Sequence, residues 1–303
     1  MLKKVFYALS VACLFLSFSV AYAQTELIKV KLSDDSDNYA VTMRSDTVLG
    51  NRILCKLSEY KNTKSTADLM LSAAQMLLET PYVGGTLEGG EREELRVFLH
   101  KTDCILFVET CLNLAICAKS YGDKADFIKF ADLVRESRYR GGIVKNYSDR
   151  IHYTTEWIRN NESRGIVEDI TQKIGGTVYD HPIYYMSKNH DKYAQLKNAE
   201  GNKDLQVIAE VEKELNKTPF YYIPQEDIPQ VEKFIKSGDI ICFMSGVKGL
   251  DIAHVAMAYV KDGKVGFIHA SMGAMRVIID PKTIYEYVKA GKYLTGIKVV
   301  RPL

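Results

Sequence analysis

Ala253-His254-Val255-Ala256-Met257-Ala258-Tyr259-Val260-Lys261-Asp262-Gly263-Lys264-Val265-Gly266-Phe267-Ile268-His269-Ala270-Ser271 is the stretch that decides the fold. Two β-prone apolar runs flank Asp262-Gly263, a dipeptide that tolerates the positive φ angles of a two-residue hairpin turn. If those residues make the turn, Lys261 faces Lys264, His254 faces Ser271 and His269 faces Ala256. Opposed residues share a face, as do alternate residues along a strand. His254 and His269 then lie diagonally on one face, roughly 7 to 8 Å apart, which suits a hydrogen bond between imidazoles. Ala256 and Ala258 share that face and leave space for a packed helix. A three-residue turn would shift this register.

Outward from the hairpin the period changes. Asp239 to Met244, after Gly238, reads as a buried strand, and a last strand near Gly296 to Val300 completes a small antiparallel sheet. Upstream, Leu69, Ala73, Met76 and Leu77 share one face of a helix that starts at Ser65 and must stop before Pro81. Thr80-Pro81-Tyr82-Val83-Gly84-Gly85-Thr86 is turn-forming, with glycines that let something approach the backbone closely; Tyr82, Gly84 and Thr86 within it are candidate substrate-binding residues. Thr102 or Asp103 can cap a second helix that runs to about Tyr121, stops at Gly122, and carries Cys104, Val108, Cys111 and Ala115 on one face.

These elements predict an α+β fold, with a helix bearing a cysteine packed on an antiparallel sheet. Residues 24–64 read as an N-terminal extension with a polar loop at Ser33 to Asn38, and 65–303 as the main domain. Within it, 124–236 reads as a large, mainly helical insertion with breaks at Gly141-Gly142 and Gly175-Gly176. In Leu196 to Lys217, Leu205, Ile208, Val211 and Leu215 form an apolar stripe on a charged surface helix.

Lys3-Lys4, the apolar run Val5 to Val20 and Ala21-Tyr22-Ala23 have the order of a secretory signal, so residues 1–23 are expected to be removed and the protein exported, periplasmic or secreted. An uncleaved anchor, or a lipoprotein site at Cys13, is the competing reading. No later stretch reads as a membrane span, so no stable membrane insertion is expected after cleavage. The net charge of +2 includes both signal lysines. A near-neutral mature chain gives no sign of nucleic acid or an anionic membrane surface as partner.

Cys55, Cys104, Cys111, Cys117 and Cys242 remain after cleavage, and an odd number leaves at least one thiol unpaired. Cys111, Cys117 and Cys242 sit in apolar runs, as inert buried cysteines do. Cys104 falls on the first turn of its helix, where the helix dipole and a nearby imidazole would favour a thiolate. Cys104 as nucleophile, His254 as base and His269 as the group orienting it would form a catalytic row, with the Cys104 N–H helping to hold an oxyanion. Each member has a plainer reading. A cysteine near a helix start is often a packing residue, strand histidines are often satisfied core residues, and two histidines with Cys104 could bind zinc. No Cys-x-x-Cys or His-x-x-x-His spacing supplies a further ligand, and the hydrolytic chemistry needs no metal or organic cofactor.

Thr80-Pro81-Tyr82-Val83-Gly84-Gly85, Thr102-Asp103-Cys104-x-x-Phe107-Val108-Glu109, Ser237-Gly238-Asp239-Ile240-Ile241, Ala253-His254-Val255-Ala256-Met257 and Phe267-Ile268-His269-Ala270-Ser271 together resemble, in order, the motifs of NlpC/p60-type papain-like cysteine hydrolases. The closer resemblance is to the N-acetylmuramoyl-L-alanine amidase-like branch, over about Ser65 to Leu303. It implies a papain-like core, a Cys104, His254, His269 triad, and Tyr82 shaping the oxyanion region. It also implies muropeptides as substrates, cut at the amide between N-acetylmuramic acid, in its 1,6-anhydro form, and L-alanine.

Two departures stand out. Ile105-Leu106 follow Cys104 where many relatives have small residues, and Tyr82-Val83 runs directly into Gly84-Gly85, which puts D-glutamyl endopeptidase specificity in doubt. Cys104 and His254 are 150 positions apart, so the insertion between them is expected to build the substrate pocket. Within it, Trp157 could stack on a sugar, and Arg140 or His152 could meet a carboxylate or acetamido group. Trp157 as a core anchor is the alternative. The rival functions are an endopeptidase cutting between D-glutamate and the diamino acid, and a non-catalytic muropeptide-binding protein.

Overall fold

A computed structural model describes residues 26–33, 38–88 and 92–303. The signal at 1–23 and positions 34–37 of the polar loop lie outside the described residues.

Eleven strands are described, numbered in chain order. β1 (Leu27–Lys31) and β2 (Tyr39–Met43) pair antiparallel, and β3 (Leu95–Arg96) adds parallel to β2. The larger sheet has the order β10-β9-β8-β7-β11-β6-β5, with β4 also on β11, and all its pairings are antiparallel. Its strands are β4 (Val167–Asp169), β5 (Thr177–Val178), β6 (Tyr221–Pro224), β7 (Ile240–Ser245), β8 (Ile252–Lys261), β9 (Lys264–Ser271), β10 (Arg276–Ile279) and β11 (Leu294–Pro302). The architecture is α+β.

The hairpin turn takes the expected form. Asp262 (φ 50°) and Gly263 (φ 73°) both have positive φ, and the pairs run from Lys261↔Lys264 to Met257↔Ile268.

Helix Cys104–Tyr121 crosses one face of this sheet and touches β8, β9 and helices Arg44–Ser58, Thr66–Met76 and Phe127–Arg138. By length and hydropathy it could cross a membrane, contrary to the expectation that no later stretch is so apolar. Its surroundings explain the composition: Phe107, Val108, Cys111, Leu112, Leu114 and Ala115 are all buried in the main core, and a helix enclosed on every side is apolar all round. Residues 44–58 feed Ile53, Leu54 and Leu57 into that same core, so this part of the N-terminal region packs with the main body.

The 124–236 segment is less purely helical than its sequence suggests. Helices Phe127–Arg138, Thr154–Ser163 and Lys203–Lys217 dominate, yet β4, β5 and β6 extend the large sheet. Strands of two to four residues are too short to register a period of two. Helix Lys203–Lys217 buries Ile208, Leu215 and Glu212, and Glu212 accepts a 2.6 Å hydrogen bond from Tyr153 Oη.

The expected role of the alanine face needs correction. Ala256 and Ala258 lie in a second, smaller core with Phe243, Phe267, Ile284 and Val288. Val255, Met257, Ile268 and Ala270, on the opposite face, meet the Cys104 helix. The small side chains receive helix Ile284–Ala290 instead.

Candidate active site

Cys104 is the first residue of its helix. Asp103 caps that helix by accepting the Leu106 N–H at 3.0 Å, and Gly122 ends it with φ 54°. Cys104 therefore sits where backbone N–H groups have no intrahelical acceptor. The Val255 N–H is also directed at its sulfur.

His254 reaches the same place from β8. Phe243 pairs with His254 and Met244 with Ile252, so Ala253 is an extra residue on β8, a bulge that re-aims the strand next to His254. Cys104 and His254 both line one cleft of about 530 Å³, together with Tyr82, Ala253, Ser271, Met272 and the segment from Tyr287 to Leu294 except Val288 and Lys289. Although the helix and the His254 side chain occupy opposite faces of the sheet, they converge at its end.

His254 Nε2 lies 2.7 Å from His269 Nδ1, and His269 Nε2 lies 3.1 Å from Asp280 Oδ2. Asp280 is held in turn, because its N–H donates to the Phe267 carbonyl at 3.0 Å and its Oδ1 accepts the Lys282 N–H at 2.9 Å. A carboxylate only accepts, so His269 carries its proton on Nε2. His269 Nδ1 is then an acceptor, His254 donates from Nε2, and His254 Nδ1 is left free to take a proton.

Rings of Phe243, Phe267 and Tyr287 enclose the two imidazoles, with Phe243 stacked on His254 at 5.7 Å and Tyr287 5.7 Å from His269. Burial among them, aided by the positive charge His269 can carry, pushes the His254 pKa down to about 3. Burial also lowers His269, against the opposing pull of Asp280. Burial, with the Asp103 charge, pushes the Cys104 thiol up to about 12. These shifts favour a neutral thiol and imidazole over an ion pair. Tyr82, which bridges to Thr102 and donates its N–H to the Met275 carbonyl at 3.0 Å, borders the cleft, and burial and the neighbouring Cys104 and Asp103 raise its pKa.

The remaining candidates lie elsewhere. Gly84 and Thr86 follow Tyr82 but are not in the cleft wall, and Thr86 is buried. Arg140 is taken by a two-pronged pair with Glu156, at 2.7 Å for Nη2, and by the Ser148 carbonyl. His152 bonds the Tyr147 carbonyl at 2.9 Å, and burial beside Arg150 pushes its pKa down to about 3. Trp157 is 3% exposed in the main core. None of the three is among the residues that line this cleft: Arg140 and His152 have internal polar partners, and the Trp157 ring packs in the core. Among the described residues, no cluster of three His, Cys, Asp or Glu side chains suits a metal ion.

Asp280 was not evident in the sequence. His269 pairs with Ile278, so Asp280, two residues on, shares its face. A reading of Arg276–Ile279 as a strand would have exposed this.

A thiol at a helix start, an imidazole beside it and a His-Asp row behind form a site suited to acyl transfer on an α+β scaffold. The chain matches the AmiA-like family, N-acetylmuramoyl-L-alanine amidase-like, over residues 72–297, and it belongs to that family. No curated protein matches it significantly. A solved N-acetylmuramoyl-L-alanine amidase from Bacteroides uniformis is 30% identical, with a TM-score of 0.73 over 78% of this chain and 99% of that one. A Bacteroides fragilis protein named as a candidate xylanase is 32% identical, with a TM-score of 0.71 over 76% of this chain and 99% of its own. The fold extends to protein LPG0564 of Legionella pneumophila, at 21% identity and a TM-score of 0.61, over 86% and 96% of the two chains.

Proposed function

We propose that this protein is an exported cysteine amidase with a papain-like, NlpC-type core that cuts the amide between N-acetylmuramic acid, in its 1,6-anhydro form, and L-alanine in muropeptides. The observation that carries the mechanism is the directed row from His254 through His269 to Asp280 beside Cys104. His254 Nδ1 takes the Cys104 proton as sulfur attacks the lactyl carbonyl, and the Cys104 N–H stabilises the oxyanion. The resulting imidazolium protonates the leaving L-alanyl nitrogen. Water, deprotonated by His254, then hydrolyses the thioester and frees the sugar acid and the thiol.

Reduced and 1,6-anhydro muropeptides incubated with the mature protein and with Cys104→Ala, and read by mass spectrometry, test this reading. Free stem peptide plus intact sugar, absent with Cys104→Ala, is expected. Shorter peptides with L-alanine still on the sugar would make the protein an endopeptidase, and absence of turnover would favour a binding protein. Export is read separately from whether the cell releases a chain beginning at Gln24.

A further inference from the structure

Part of the cleft wall is built from the turn at Lys282, helix Ile284–Ala290, whose Tyr287 also packs against the histidines, and the segment leading into β11. Lys282 and Lys292 flank that helix, both are exposed, and both line the cleft, whereas no Asp or Glu lines it. Some surface lysines have carboxylate partners, as in Lys173 with Glu168 and Lys213 with Glu210. Among the described residues neither Lys282 nor Lys292 is ion-paired. Glu286 acts on Lys282 only at longer range, and Lys292 lies 5.1 Å from the Tyr293 ring centre. The Lys282 N–H is fixed by Asp280, which fixes its backbone relative to the histidine row.

We infer that Lys282 and Lys292 form a carboxylate-reading rim for the acidic stem peptide, so that the leaving-amine half of the substrate lies along the 282–294 wall. This assignment rests on the amidase reading. Once the lactyl carboxyl is in the scissile amide, the sugar half carries no anion, whereas a peptide with a glutamyl residue and a free terminus carries at least two. Two unpaired ammonium groups in a wall without carboxylates complement only the second half. Met272, Tyr287 and Tyr293 add apolar surface to the same cleft.

The test uses full-length Cys104→Ala, which retains ligand, and calorimetric titration with two muropeptides differing only in whether the glutamyl α-carboxyl is free or amidated. Exposed ion pairs contribute modestly, so the free acid is expected to bind about two- to fivefold tighter, with the margin shrinking as salt is raised. In Lys282→Gln/Lys292→Gln on the same background the ratio should fall to about one, and in Lys282→Glu/Lys292→Glu below one. An unchanged ratio, or equal weakening of both ligands, would overturn the inference. Because binding is read without turnover, a wild-type protein that releases no stem peptide overturns the amidase reading alone.

Discussion

His254 Nε2 and His269 Nδ1 approach to 2.7 Å with their ring planes at 83°. Each imidazole can therefore use only its far nitrogen for anything else, and the two far nitrogens meet different partners: Asp280 behind, the cleft in front. The direction of the row follows from Asp280 being an acceptor only.

Asp280→Asn tests that direction. An asparagine can present its NH₂ group to His269 Nε2, which places the His269 proton on Nδ1 and the His254 proton on the nitrogen facing Cys104. His254 would then be unable to accept. Loss of a general base costs about 10² to 10⁴ in rate, so His254→Ala should fall in that range and Asp280→Asn toward its lower end, with Asp280→Glu recovering part of the loss. Equal kcat and pH profile for Asp280→Asn and wild type would remove Asp280 from the mechanism.

The pKa shifts predict how Cys104 reacts without substrate. With the thiol at about 12 and His254 at about 3, the thiolate is scarce at neutral pH. Alkylation of Cys104 by iodoacetamide should rise about tenfold per pH unit from 7 to 10, with no plateau in the acid range. A plateau between pH 4 and 7 would reveal a resting ion pair.

Much of this site was legible because its signals are local. The dipeptide Asp262-Gly263 sets the hairpin register, and with it the diagonal of His254 and His269, whereas Asp103 and Gly122 bracket the Cys104 helix. What could not be read depends on long-range packing. Ala256 and Ala258 are small, but nothing in their spacing tells which of two helices they receive. Trp157 fits a sugar platform and a core anchor equally well until its neighbours are known, and its buried position selects the anchor. Asp280 escaped because β10 is only four residues long and follows a turn without a hairpin signature.

Acid should destabilise the fold through its histidines. His152 and His254 are held at about 3, below the roughly 6.5 of an unfolded chain, so the unfolded state binds more protons between those values. Their contribution is complete above pH 6.5 and declines as pH falls toward 3. The buried carboxyls of Glu109 and Asp251, raised by desolvation, act in the opposite sense, so the comparison is between variants. In urea unfolding at pH 7 and pH 4.5, His152→Gln should lose less stability on acidification than wild type. An equal loss would show that His152 is protonated in the folded state.

Arg138 and Glu109 form a pair buried on both sides, with Arg138 Nε 2.8 Å from Glu109 Oε2 and side-chain exposures of 6% and 2%. Arg138 also donates to the Arg96 carbonyl at 2.5 Å, joining β3, the Phe127–Arg138 helix and the second turn of the Cys104 helix. Arg138→Met would strand a carboxylate where burial already pushes its pKa up. Breaking one side of such a pair costs about 3 to 5 kcal/mol, whereas replacing both sides with apolar groups of similar volume is often near neutral. The Arg138→Met variant should therefore show a large drop in denaturation midpoint, and adding Glu109→Leu should recover most of it. Because the pair anchors the helix carrying Cys104, the single variant should also lose activity at temperatures where it remains folded, as the thiol drifts from His254. A double variant as unstable as the single would show that Arg138 acts through the Arg96 carbonyl rather than through Glu109.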